Sequence, residues 1–503
     1  MDTSAIIWIT IGVYVIFMVV TGILNKQNAS TLSSFTVGGR NAGAWISALS
    51  YGTAYFSAVM FVGYAGNTGW SFGLWAIAAG IGNAIFGTWL AWKVLARRTR
   101  DIATRLNLKT MPQFFSARYD STRLKYFSAA VIYIFLLPYS ASVYKGLTSV
   151  CSVLLNIDER ICMVVIAVAS AVILILGGYL AALKADFIQG IIMMVGIVLL
   201  IIFVMRAPAV SDGGLGRLWD YMQQHDMAPL PTDSAVSLIA TVLMTSFGTW
   251  GLPQMIHKYY GIKDDREVKR GTSISTFFSL LVAGGGYFIG SLSHLFFADT
   301  LPAGGKDYIV PNMLVQARLP AVLLGVVLVL LIAASVSTLS SITLSASTTL
   351  SMDLIMPNSK KLNEHSGAVL TKVLCLLFVA ASYIIANTDT PILDMMSYSW
   401  GILSGSFLAP YLLALYWKRV TRKAAWSAVV SGFIVAFIPA GSMLINLLPH
   451  QNTGIFGITE QWASMGPQFA CAAMLLSLIV CAAVTWKTAK FEPQQTEFYN
   501  AAH

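Results

Sequence analysis

Residues 47–73 read SALSYGTAYFSAVMFVGYAGNTGWSFG, an apolar stretch of helix length that is interrupted by small and polar residues. Glycine at positions 52, 63, 66 and 69 alternates there with Thr and Ser. Such interruptions are typical either of close helix packing or of a helix that breaks inside a membrane. A break near GTAYFSA would free the backbone carbonyls of Thr53 and Phe56. The stretch therefore predicts an interrupted membrane helix.

The composition of the whole chain agrees with a membrane setting. The 503 residues are 56% hydrophobic and 11% charged, with a mean hydropathy of +0.71. A soluble globular protein carries about 25% charged residues. Because lipid cannot satisfy backbone polar groups, a chain this apolar crosses as helices or as a closed barrel. The long continuous apolar runs favour helices, so we predict an all-α integral membrane protein.

We predict thirteen transmembrane helices, each with approximate ends. They lie at 4–24, 44–70, 72–95, 126–154, 160–180, 185–205, 235–257, 272–297, 320–350, 367–387, 391–416, 424–447 and 467–487. The first is expected to be a retained helix, since neither a basic region before it nor a small-residue cleavage motif after it marks a signal peptide.

Basic residues predict the orientation of the bundle. Clusters at 93–100, 257–270, 359–365, 418–423 and 487–490 fall on one side if the spans alternate. The positive-inside rule makes that side cytoplasmic, with the N-terminus outside and the C-terminus inside. The expected location is the plasma membrane, as in a bacterial inner membrane. This asymmetry accounts for the formal net charge of +10, so no nucleic-acid partner is expected.

The residues that usually carry covalent chemistry form no catalytic pattern. Five cysteines lie in apolar runs without metal or disulfide spacing, and the six histidines fall in loops or at span ends. Zinc-protease, serine-hydrolase, dithiol and P-loop motifs are missing from the sequence. We therefore predict that the protein is not an enzyme. So many spans in one chain suit an alternating-access transporter better than a channel.

A second interruption, TSFGTWGLPQ at 245–254, lies five spans after the first. Corresponding breaks in two halves are what an inverted repeat predicts. We expect an extra N-terminal helix and loop at 1–43, a first repeat at 44–230 and a second at 231–418. Residues 419–503 then form peripheral C-terminal helices and a short cytoplasmic tail.

Hydroxyl groups concentrate on one face of the span at 320–350. At 100° per residue, Ser337, Thr338, Ser340, Ser341 and Ser345 fall within an arc of about 160°. Single hydroxyls in membrane helices usually bond back to a carbonyl one turn earlier. Five on one face, opposite a broken helix, indicate neutral oxygen ligands for a cation such as Na⁺.

Several segments resemble the sodium:solute symporter family, which includes bacterial proline, pantothenate, sialic acid and sugar symporters. The resemblance covers roughly residues 5–430 and implies a leucine-transporter type fold with two inverted five-helix repeats. The segments are SFTVGGRNAGAW (34–45), SALSYGTAYFSAVMFVGYAG (47–66), GGYLAALKADFIQG (177–190), GLPQMIHKYYGIKD (251–264) and LIAASVSTLSSITLSASTTLSMDL (331–354).

The resemblance implies one sodium site between the first and eighth core helices. Its ligands would be the carbonyls of Thr53, Phe56 and Ala334 with the hydroxyls of Ser337 and Thr338. In the sialic acid members a second sodium binds an acidic residue of a D-x-I-Q-G motif and a following serine pair. Those positions are Asp186, Ser340 and Ser341, beside Ser337. Asp186 could equally be an interfacial carboxylate at a helix start.

Departures from the family pattern bear on the cargo. Proline symporters carry aspartate where this chain has Tyr55, and sugar symporters carry a polar amide where it has Met60. We therefore expect a small amino acid such as proline, or another small carboxylate. Sialic acid, pantothenate or another vitamin or sugar acid stays an alternative. The candidate substrate-binding residues are Ser57, Met60, Tyr139, Thr245, Phe247 and Trp250.

Two rivals to a sodium symporter stay open, a sodium-independent facilitator and a transporter-like sensor. The sensor is disfavoured because only FEPQQTEFYNAAH (491–503) follows the last span. The expected partners are sodium, the solute and membrane lipid, and a monomer is expected to suffice.

Overall fold

The computed structural model describes residues 3–24, 40–359, 363–446, 455–489 and 498. The predicted loop at 25–39 and most of the C-terminal tail lie outside this part. Every regular element described is helical, and ten helical runs are long and apolar enough to cross a membrane. The main helices are α1 Thr3–Leu24, α2 Ala44–Tyr55, α3 Gly66–Phe72, α4 Thr122–Leu155, α5 Glu159–Met205, α6 Thr232–Phe247, α7 Pro253–Tyr260, α8 Asp265–Ser291, α9 Ala321–Thr349, α10 Glu364–Ala386, α11 Ile392–Tyr416, α12 Arg422–Asn446 and α13 Gly466–Thr488.

The all-helical membrane architecture is confirmed, but the count of thirteen helices is not. The spans predicted at 160–180 and 185–205 lie within the single 47-residue helix α5. The gap predicted between these two spans is AALK (181–184). All four of these residues are strong helix formers, so the helix continues through them. The polarity of Lys184 alone does not end a helix.

Both predicted helix breaks are present. α2 ends at Tyr55, and Phe56 takes an extended backbone with φ −107° and ψ 110°. A π-helical segment, Val59–Ala65, then leads into α3. In the second half a 3-10 turn at Gly248–Gly251 follows α6, and Leu252 is extended before Pro253 begins α7. Proline disfavours a helical residue before it and fits the first turn of the next helix.

The broken helix α2 lies in the interior of the bundle. It packs against α5, α7, α8 and α9, while α9 also contacts α1, α4 and α10. Along the most apolar window of each helix, 89% of α11 is buried but only 33% of α12 and of α13. α12 and α13 therefore form an outer layer on α11.

One end of the bundle is closed by contacts between its two halves. Backbone hydrogen bonds join Ala42 to Gly261 and Lys263, and Ala44 N donates to Glu267 Oε2 at 2.6 Å. The opposite end holds a cavity of about 870 Å³ whose lining includes Asn67. The bundle is thus closed at the end that carries the basic loops and hollow at the other.

Candidate functional site

Oxygen atoms from two helices meet where α2 ends against the middle of α9. Thr338 Oγ1 lies 3.0 Å from the carbonyl oxygens of both Thr53 and Ala334. Ser337 Oγ lies 3.0 Å from Thr53 Oγ1. All four residues are buried. Hard cations take oxygen ligands, and neutral carbonyls and hydroxyls suit a monovalent ion. Four of the five predicted first-site residues are therefore linked by one chain of contacts, which runs from Ser337 through Thr53 and Thr338 to Ala334.

Hydroxyl groups of α9 bond to backbone groups on both sides of the first break. The last helical bond of α2 runs from Phe56 N to the Gly52 carbonyl, and Phe56 is the fifth predicted ligand residue. Beyond the break, Ala58 N donates to Ser335 Oγ at 3.3 Å. Helix ends leave such groups without an intrahelical partner. The Ser and Thr residues of α9 therefore stabilise the break besides presenting oxygens.

Asp186 lies beside the first cluster and is held by three polar groups. Its Oδ1 accepts from Ser337 Oγ at 2.5 Å, and its Oδ2 accepts from Ser50 Oγ. Lys258 Nζ approaches Oδ2 at 3.1 Å and Ser50 Oγ at 2.8 Å. The carboxylate is therefore an interior group with a direct counter-charge, and the reading as an interfacial helix-start residue is wrong.

Ser340 and Ser341, predicted with Asp186 for a second ion, are also buried on α9. Ser341 Oγ has no hydrogen-bond partner among the described residues. A buried hydroxyl without a partner is costly unless a ligand or water satisfies it. The hydroxyls that engage Asp186 itself are those of Ser337 and Ser50.

Of the predicted substrate contacts, Tyr139 lies among aromatic side chains near the first break. Its ring meets Trp400 edge-on, with centroids 5.6 Å apart, and Trp400 lies 6.0 Å from Tyr55. Ser57 is within the break, where its Oγ accepts from Val59 N at 3.2 Å. Met60 follows in the π-helical segment and is buried against α8.

The predicted substrate contacts near the second break, Thr245, Phe247 and Trp250, pack against the segment that contains Asn83 and Phe86. Thr245 Oγ1 donates to Asn83 Oδ1 at 2.9 Å, and its carbonyl accepts from Tyr55 OH at 2.5 Å. Phe247 stacks on Phe86 at 5.5 Å, and Trp250 Nε1 donates to the Phe86 carbonyl at 3.0 Å. Phe86 is 37% exposed, so Phe247, which stacks on its ring, packs toward the outer face of the bundle, whereas Trp250 is buried.

Sequence reasoning missed three side chains near the breaks. Lys258 was assigned to the cytoplasmic basic cluster at 257–270, but α7 continues to Tyr260 and buries it, which corrects that assignment. Trp400 lies in the apolar span at 391–416, where nothing in the sequence distinguishes it from other core aromatics. Gln254 is 1% exposed, and its amide has no partner within the described residues. A polar residue directly after Pro253 was the available signal for Gln254.

The cavity at the open end is rich in charged and polar groups. Lys145 Nζ donates to the carbonyls of Thr388 and Thr390 at 3.0 and 2.8 Å. Asp307 Oδ2 accepts from Ile392 N at 3.2 Å, and burial raises the pKa of this carboxyl above its ordinary value. These groups make the lining of the cavity largely polar.

Comparison with protein families places most of the chain in one group. Residues 35–432 match the model of the sodium:solute symporter family. Among curated proteins, a sodium/proline symporter of Staphylococcus aureus is 29% identical over 474 residues, which cover 90% of this chain and 89% of the relative.

Solved structures share the fold. One is a Na⁺-coupled sialic acid symporter in a substrate-bound outward-open state, with a TM-score of 0.74 at 19% identity over 98% of this chain and 99% of that one. Another is Mhp1, a nucleobase-cation-symport-1 family transporter in a closed conformation, with a TM-score of 0.54 at 14% identity over 95% and 100% of the two chains. The fold is of the leucine-transporter type.

Proposed function

This chain belongs to the sodium:solute symporter family, and we propose that it imports a small organic solute together with sodium by alternating access. Family and fold neighbours are transporters, and the protein is a multi-pass plasma membrane protein. The observation that carries the proposal is the meeting of Thr53, Ala334, Ser337 and Thr338 at the first helix break.

The proposed sodium ion binds the carbonyls of Thr53, Phe56 and Ala334 and the hydroxyls of Ser337 and Thr338. Support comes from the oxygen spacing of about 3 Å and from the burial of the cluster. The two hydroxyls that now contact Thr53 can turn their lone pairs toward an ion, because a hydroxyl both donates and accepts. A cation held there replaces the bonds that join α2 to α9.

Coupling follows because the sodium ligands and the proposed solute pocket share one broken helix. Ser57 is one residue beyond Phe56, and Tyr139 with Trp400 packs near Tyr55. An ion that orders the break also orders the pocket, and linkage makes this effect reciprocal. Each sodium entering contributes about 2.3 kcal/mol per 100 mV of membrane potential.

For the solute we propose a small amino acid such as proline, or another small carboxylate. The relative named sodium/proline symporter supports this choice. Sialic acid, pantothenate or a related acid is the alternative, supported by the fold neighbour. Ser57, Met60, Tyr139, Thr245, Phe247 and Trp250 remain the proposed contacts, and Gln254 joins them because its buried amide is unsatisfied.

A second sodium site at Asp186, Ser337, Ser340 and Ser341 is the alternative to a single sodium ion. It is supported by the carboxylate beside the first cluster and by the unsatisfied Ser341 hydroxyl. The Lys258 ammonium on the same carboxylate opposes it.

We also propose repeats at 44–230 and 231–418, with the basic loops in the cytoplasm, the N-terminus outside and the C-terminus inside. The two breaks, at Phe56 and Leu252, support the repeat. The position of the cavity, away from the basic loops, fits a solute that enters from outside.

The test is radiolabelled uptake into proteoliposomes containing the purified protein. Proline, other small amino acids, monocarboxylates, pantothenate and sialic acid are offered with an inward sodium gradient and with potassium in its place. We expect uptake of one class only, abolished in potassium. Equal uptake in both cations would refute sodium coupling and favour a facilitator.

A further inference from the structure

Lys258 places a positive charge in the interior of the bundle, directly after the second helix break. Its side chain is 4% exposed and that of Asp186 is 1% exposed, and Nζ lies 3.1 Å from Asp186 Oδ2. Lys258 belongs to α7 and Asp186 to α5. A buried charge persists only when it is paired, so each residue provides the counter-charge of the other.

Both oxygens of the Asp186 carboxylate are engaged. Oδ2 receives Lys258 and Ser50, whereas Oδ1 receives Ser337. Ser50 lies on α2, three residues before Thr53, and Ser337 lies on α9. The network therefore joins α2, α5, α7 and α9 around one carboxylate, and through Ser337 it touches the proposed first sodium site.

A sodium ion on this carboxylate would share a single negative charge with the ammonium. Two unit cations about 4 Å apart at an effective dielectric constant near 20 repel strongly enough to weaken ion binding by about a hundredfold or more. Surrounding hydroxyls are neutral and do not offset this repulsion. Sodium can bind Asp186 tightly only if the Lys258 ammonium leaves it.

We infer that Lys258 and a second sodium ion are alternative counter-ions of Asp186, so that Lys258 limits the protein to one sodium ion in this conformation. The inference rests on the proposed sodium coupling. It assigns Lys258 as a residue that positions Asp186 and sets sodium stoichiometry. The ammonium neutralises the Asp186 carboxylate in place of a second sodium ion and, unlike that ion, is not transported.

The decisive experiment measures ²²Na⁺ binding to the purified protein in detergent, without any solute. Wild type is expected to bind one ion with a Hill coefficient near one. Lys258→Met removes the charge at similar length and is expected to bind two ions, with a Hill coefficient above one. Lys258→Arg is the matched control and is expected to keep a single ion.

A second comparison covers the case in which Lys258→Met does not fold. Asp186→Asn leaves Lys258 without its counter-charge, so this variant is measured in mildly acidic buffer, which keeps the amine protonated. The ammonium should then weaken sodium binding at the first site by about tenfold or more through repulsion. The double variant Asp186→Asn/Lys258→Met removes both charges and should recover near-wild-type affinity with one ion. Removal of both charges also relieves the instability of a broken buried pair, so thermal unfolding of both variants is measured alongside. A purely structural role predicts that sodium affinity follows the melting temperature, whereas repulsion lowers the affinity of Asp186→Asn even when it is fully folded.

The outcomes separate the inference from the proposed function. A wild type that binds no sodium overturns the symporter proposal. A wild type that binds two ions, or a folded Lys258→Met that still binds one, overturns the Lys258 inference and leaves the symporter standing. If Lys258→Met does not fold, the inference is overturned when Asp186→Asn and Asp186→Asn/Lys258→Met bind sodium with equal affinity.

Discussion

Thr338 shows how one side chain serves both the fold and the proposed ion. Its Oγ1 contacts the Ala334 carbonyl of its own helix and the Thr53 carbonyl across the helix interface. The first contact is the ordinary back-bond of a threonine in a membrane helix. The second depends on the break in α2, since an intact helix would use the Thr53 carbonyl internally. Only the second contact links the two helices.

Substitution of Thr338 distinguishes the hydroxyl from the shape of the side chain. Thr338→Val keeps the volume but loses the oxygen, so the half-saturating sodium concentration for uptake should rise. A hydrogen bond to a buried group contributes about 1–3 kcal/mol, which predicts a rise of about fivefold or more. Thr338→Ser keeps the oxygen, so its half-saturating sodium concentration should stay within about twofold of the wild-type value. Equal shifts in both variants would show that Oγ1 does not bind the ion.

At the scale of elements, glycines set how closely α3 and α8 approach. A Cβ on Gly290 would overlap the carbonyl oxygen of Ala65, and one on Gly69 would overlap the carbonyl oxygen of Gly290. Backbone atoms cannot move aside by a rotamer change, so any larger residue separates the helices. The segment after the first break is therefore held against α8 by backbone contact.

Gly290→Ala is expected to destabilise the protein by at least about 1–3 kcal/mol, the usual cost of overpacking. Gly284→Ala is the matched control on the same helix, because a Cβ there meets nothing within 4 Å. Alanine favours a helix by up to about 1 kcal/mol over glycine, so Gly284→Ala should be neutral or stabilising. Thermal unfolding of both variants in detergent provides the measurement. Similar melting temperatures would contradict the close contact.

The whole molecule has one closed end and one hollow end, and its orientation can be tested by labelling. Asn67 lines the cavity, and Arg419 is exposed in a basic loop at the other end. In intact cells a membrane-impermeant maleimide should modify Asn67→Cys and spare Arg419→Cys, and inverted vesicles should reverse the result. Four of the five native cysteines are buried and the fifth is half-buried, which keeps the background low. Labelling of Arg419→Cys from outside would invert the proposed topology.

Local chemistry accounts for what the sequence predicted well. Apolar runs fixed the helical membrane class because lipid forbids unsatisfied backbone, and Pro253 with its neighbouring glycines located a break because proline cannot continue a helix. The hydroxyl face of α9 was visible because residues three and four apart share a helix face. These features depend only on residues near one another in the chain.

The tertiary structure alone decided the partners of the charged and aromatic groups. Lys258 and Asp186 are 72 residues apart, and their pairing depends on how α5, α7 and α2 pack. The same holds for Tyr139 with Trp400, and for Phe247, which packs on Phe86. By itself the sequence determined the helical membrane class, the two breaks and the oxygen-bearing face, but not the number of helices. The packing of distant helices determined which charge neutralises Asp186, because a low-dielectric interior makes each buried charge depend on its nearest opposite charge.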